Sequence, residues 1–155
     1  MKKRIVSNSP DDTMRIGRRL AVFLRAGDNI ILDGDLGSGK TLFTKGIARG
    51  LKVPNYEYVN SPSFTLVKQY KGRVNLYHFD LYRLERLEDI EYIGVKEYLS
   101  GFGIVVIEWA CRMGALLPSQ YLAIKINTTG PSSRNFLFEA KGRRYDHIIS
   151  RYFRR

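Results

Sequence analysis

The chain has 155 residues, a formal net charge of +11, and apolar side chains at 44% of positions. That length fits one domain, residues 1–155, around one core, and that apolar share excludes a disordered chain. No apolar run approaches the ~20 residues a membrane span needs, the basic start MKKRIVSNSP lacks the apolar segment of a secretory leader, and the lone Cys111 excludes an internal disulfide, so a cytoplasmic protein is expected.

SPDDTMRIGRRLAVFLRAGD predicts a first helix, capped by Ser9 or an aspartate, with Ile16, Leu20, Phe23 and Leu24 on one face and Gly27 to stop it. NIILDG predicts a short apolar strand, and KTLFTKGIARGL a second helix ending near Gly50. KVPNYEYVNSPSF has the composition of a loop. SFTLVKQY and RVNLYHFDLY predict strands joined in a hairpin at Lys71 and Gly72. RLEDIEYIGVKEYL predicts an amphipathic helix ended by Gly101, and GIVVIEW a buried strand. YLAIKINT and NFLFEAKG alternate as antiparallel strands do, and RRYDHIISRYF closes the chain as a helix. Strands alternating with helices, with hairpins in the middle and at the end, predict an α/β fold: a mixed sheet flanked by helices.

Between the first strand and second helix, Gly34, Asp35, Leu36, Gly37, Ser38, Gly39, Lys40 and Thr41 satisfy the pattern G-x-x-x-x-G-K-[ST]. Each fixed position of the pattern has a physical task. The glycines let backbone N–H groups turn inward on an anion, Lys40 would reach the β- and γ-phosphates, and the Thr41 hydroxyl would ligate Mg²⁺. The helix that begins there adds its positive end. The alternative is a chance glycine-rich turn, which the correct strand and helix on either side make rarer. A P-loop NTPase-like fold binding ATP and Mg²⁺ is therefore expected.

Such a loop needs a carboxylate at a neighbouring strand end to hold or order Mg²⁺. Asp80 closes NLYHFD and Glu108 closes GIVVIE. Which of them touches the metal is open at this stage. NSPSFT supplies Ser61, Ser63 and Thr65 where a phosphate-sensing switch would lie, although Ser and Pro also simply build turns. His78 reads as structural rather than as a base, His147 has no metal partner at usable spacing, and Cys111 reads as inert. Trp109 follows Glu108 directly and would report on the site.

GDLGSGKT, NSPSFTLV, YHFDLYRL, EYIGVKEYL and VVIEWA, in this order, resemble the bacterial TsaE family, from the first helix to at least Pro118. The P-loop is general, whereas YHFDLYRL and IEW are far more specific. The resemblance implies a small P-loop ATPase that supports threonylcarbamoyladenosine formation in tRNA through the partners TsaD and TsaB; whether tRNA touches this chain directly is open at this stage, and no membrane role is expected. The switch-like loop at Ser61 to Thr65, with no evident acceptor pocket, suggests a nucleotide switch acting on those partners. It implies that residues Gly34 to Thr41 bind phosphate, that Thr41 and Glu108 hold Mg²⁺, that Lys40 and Asp80 serve hydrolysis, and that Trp109 sits beside the nucleotide. The family usually reads Ser-Pro-Thr where this chain has Ser61, Pro62 and Ser63, which keeps a hydroxyl. Arg134, in GPSSRNF, is a candidate for the adenine side of the pocket. The competing readings are a small-molecule kinase, for which no acceptor pocket or lid is evident, and a non-catalytic nucleic-acid binder, which the charge supports but no stacking motif does.

Overall fold

The computed structural model describes residues 1–99 and 101–154. Among them, seven strands form one sheet in the order β1-β7-β6-β2-β5-β4-β3. These are β1 (Lys2–Ser7), β2 (Asn29–Asp33), β3 (Val67–Tyr70), β4 (Leu76–Asp80), β5 (Ile104–Glu108), β6 (Tyr121–Thr128) and β7 (Arg134–Lys141). The helices are α1 (Pro10–Ala21), α2 (Lys40–Gly50), α3 (Leu87–Tyr92), α4 (Val95–Tyr98) and α5 (Arg143–Tyr152). β2 runs parallel to β5 and β6, and β4 runs parallel to β5. The β3–β4, β6–β7 and β1–β7 pairs are antiparallel, so the sheet is mixed.

Alternation along the central strands sends side chains to two separate cores. Ile30, Leu32, Leu76, Ile104 and Val106 pack with α1, α2 and α5 on one face. Ile31, Tyr77, Phe79, Val105 and Ile107 pack with α3, α4 and the 3-10 turn Ala110–Leu116 on the other. α1 starts as its sequence dictates. The Ser9 side chain accepts the Asp12 N–H, Pro10 opens the first turn, and Asp11 and Asp12 face its positive end. α1 and α2 cross on glycine: a Cβ at Gly17 would lie 2.3 Å from the Phe43 carbonyl oxygen, and one at Gly46 would lie 2.2 Å from that of Met14.

Three features differ from the sequence expectation. The segment Lys2–Ser7 is an edge strand, although its mostly exposed side chains show no alternation of apolar and polar residues. The helix expected over 86–99 is two short helices, because Gly94 takes a left-handed conformation (φ 74°) between them. α1 ends at Ala21, and Gly27 (φ 92°) instead shapes the turn into β2.

Candidate functional site

β2, β4 and β5 run in one direction, so their C-terminal ends meet at one edge of the sheet. The register sets Leu32 beside Glu108 and Asp80 beside Glu108. This is the edge where open α/β sheets build ligand sites. The loop from β2 into α2 rises from it. Gly34, Gly37 and Gly39 have φ of 153°, 77° and 107°, in the range that favours glycine. Gly39 places no side-chain cap on α2, so the first N–H groups of that helix are open to an external acceptor.

Lys40 is 6% exposed, and its Nζ donates to the carbonyls of Gly34 at 2.5 Å and Asp35 at 2.9 Å. The same ammonium lies 5.3 Å from the centre of the Trp109 ring. Trp109 has φ 60°, uncommon for a large residue, and this turn carries its ring back over the loop, where it also packs on Tyr82 at 4.9 Å. Arg134 approaches from behind. Its Nε donates to Ser38 O at 2.8 Å, and its other nitrogens donate to the carbonyls of Gly37, Gly130 and Ser133. Arg134 thus braces the phosphate loop.

Asp80 and Glu108 are 4% and 3% exposed. Asp80 Oδ2 accepts the hydroxyls of Ser61 at 2.5 Å and Ser63 at 3.3 Å, and its Oδ1 accepts the Tyr82 N–H at 3.0 Å. Glu108 Oε1 pairs with His78 Nε2 at 2.9 Å. A cavity of about 360 Å³ opens between these groups. It brings together Gly37, Gly39, Lys40 and Thr41 of the loop, Ser61 and Ser63, both carboxylates, Trp109 and the exposed Leu36. Gly34, Asp35 and Ser38 stand outside the lining and shape the loop. Tyr82 lines the cavity although sequence reasoning passed over it; it lies just past a strand end, beyond any fixed-offset pattern.

The residues fit a magnesium-bound polyphosphate. Ser38 Oγ is buried without a partner among the described residues, uncapped helix N–H groups face the loop, and an ammonium, a threonine hydroxyl and two carboxylates share the cavity. Thr41 and Glu108 have the oxygen donors Mg²⁺ prefers.

Fold and site together define a P-loop NTPase-like α/β protein. The family profile described as "Threonylcarbamoyl adenosine biosynthesis protein TsaE" matches residues 7–136. The tRNA threonylcarbamoyladenosine biosynthesis protein TsaE of Bacillus subtilis is 42% identical, covering 90% of this chain and 87% of its own. Its counterpart in Treponema pallidum is also 42% identical, covering 84% and 96%. The crystal structure of Bacillus subtilis YdiB superposes with a TM-score of 0.82 at 35% identity, over 98% of this chain and 94% of that one. The chain belongs to the TsaE family.

Proposed function

We propose that this chain is a Mg²⁺-dependent ATPase of tRNA threonylcarbamoyladenosine biosynthesis, and that its nucleotide sets its affinity for a TsaB–TsaD pair. The observation that carries this reading is the pair of hydroxyls, Ser61 and Ser63, bonded to the same oxygen of Asp80 inside the P-loop cavity. A loop that shares its hydrogen bonds with the site carboxylate can respond to what the cavity holds.

Lys40 binds the β- and γ-phosphates by exchanging the carbonyls of Gly34 and Asp35 for phosphate oxygens. The N–H groups of the loop and of the first turn of α2 take the remaining charge. Thr41 and Glu108 would hold Mg²⁺, which when bound would supply charge neutralisation to the transferred phosphoryl group. Asp80 lets go of Ser61 and Ser63 to orient a water, and the freed Ser63 hydroxyl turns to the terminal phosphate. Hydrolysis reverses that exchange and returns the loop to Asp80.

A swing from 1:99 to 99:1 between two loop states requires a differential affinity of ~5.5 kcal/mol. Several charge-assisted hydrogen bonds reach that range. The test measures affinity for the TsaB–TsaD pair with a non-hydrolysable ATP analogue, with ADP and without nucleotide. The analogue should bind the pair most tightly, and Ser63→Ala should narrow the gap. Equal affinity in all three conditions removes the switch.

A further inference from the structure

We infer that His78 is a positioning residue for the metal-binding carboxylate, fixing Glu108 so that one of its oxygens faces the cavity. The inference rests on the reading of Glu108 as a Mg²⁺ ligand.

The argument begins with an ill-suited core residue. Leu76, His78 and Asp80 alternate along β4 towards the α2 face, and His78 is fully buried there. An aliphatic side chain would fill that place without polar atoms to satisfy. Instead the imidazole leaves Nδ1 buried without a partner among the described residues, a desolvation cost an aliphatic side chain would not incur. What offsets that cost is the bond from Nε2 to Glu108 Oε1 at 2.9 Å. His78 pairs in register with Val106, two residues before Glu108 on β5, so both side chains leave the sheet on one face.

A carboxylate only accepts, so the hydrogen of this bond sits on Nε2. A hydrogen on Nδ1 would have no acceptor among the described residues. With Oε1 held by this donor, Glu108 cannot swing, and its second oxygen is the one offered to a cation. Outer partners of metal-binding carboxylates typically contribute about 10–100-fold to metal affinity.

The experiment titrates Mg²⁺ by calorimetry into protein saturated with a non-hydrolysable ATP analogue, and repeats the nucleotide titration without Mg²⁺. The variants are Glu108→Ala, His78→Leu, His78→Gln and His78→Asn, with thermal melts to establish folding. Gln places an N–H where Nε2 lies, whereas Asn stops short of it. His78→Leu and His78→Asn should raise the half-saturating Mg²⁺ concentration about 10-fold or more. His78→Gln should recover most of this, and metal-free nucleotide affinity should stay unchanged in all three. Separately, ¹⁵N spectra of the wild-type ring should show hydrogen on Nε2. If Glu108→Ala weakens Mg²⁺ but the three His78 variants match wild type, the positioning role is wrong and the metal site stands. If Glu108→Ala leaves Mg²⁺ binding intact, both fall. Should His78→Leu fail to fold, equal Mg²⁺ affinity in His78→Gln and His78→Asn overturns the inference.

Discussion

Lys40 is buried, and two carbonyls of its own loop hold its ammonium in place beside the cavity. Lys40→Ala removes a point charge and little packing. It should lower ATP hydrolysis by about 10²-fold or more while the melting temperature barely moves, read by phosphate release and a thermal melt. Trp109 is the sole tryptophan and sits over that ammonium, so nucleotide binding should change its fluorescence; a flat titration where calorimetry reports binding would move it away from the site. The loop and the strand-end carboxylates are readable in the sequence because each lies at a short, fixed offset from a strand or helix end. The bonds among them are not. Ser61 with Asp80, His78 with Glu108, and Arg134 with the carbonyls of Gly37 and Ser38 join segments that only the strand order makes neighbours. Arg134 illustrates the limit: nothing in its surroundings along the chain ties it to a loop almost a hundred residues away.

At the scale of elements, α2 is aimed at the site by its crossing with α1, which glycine alone permits. The Cβ of Gly46→Ala would stand 2.2 Å from the Met14 carbonyl oxygen, a backbone atom that cannot rotate away. The helices must separate, at an overpacking cost of roughly 1–3 kcal/mol, which exceeds the gain of under ~1 kcal/mol in helix propensity. Urea denaturation should show a net loss, and because α2 carries Lys40 and Thr41, nucleotide affinity should fall with it. Elements with strong periodicity, such as α1, α2 and β5, are legible from sequence. β1 is not, because Lys2, Lys3 and Arg4 point to solvent and its pairing is set by β7. The break between α3 and α4 is likewise hidden, since Gly94 interrupts a pattern that stays apolar on one face.

Across the whole molecule, α5 fastens the last part of the chain to the first. The Tyr152 hydroxyl donates to the Ile16 carbonyl at 3.2 Å, and the Tyr145 hydroxyl accepts the Asn29 N–H at 2.7 Å. Burial pushes both phenols from the ordinary 10.0 up to about 12. The folded protein therefore holds these protons more tightly than the unfolded chain. Their stabilising contribution is complete below pH ~10 and is lost as pH rises towards ~12. Each phenol is worth roughly 2–3 kcal/mol over that window. Urea midpoints measured from pH 8 to 12 should fall steeply above pH ~10, and Tyr152→Phe should flatten part of that fall. Equal slopes in the two proteins would mean that Tyr152 does not hold its proton.

The edge pair has a consequence in time. β1 leaves the ribosome well before β7, with which it pairs from Lys2 opposite Glu139 to Ser7 opposite Arg134. At roughly 5–20 residues per second, the strand waits on the order of ten seconds for its partner. An unpaired strand is a template for any other chain nearby, and on a polysome the nearest chains are identical copies. In a parallel, in-register pairing of two copies Lys2, Lys3 and Arg4 set like charge against like charge, while in the finished fold Lys2 meets Glu139 at 3.5 Å. The basic run that conceals β1 from a periodicity search thus also weighs against such in-register pairing before the right neighbour has been made.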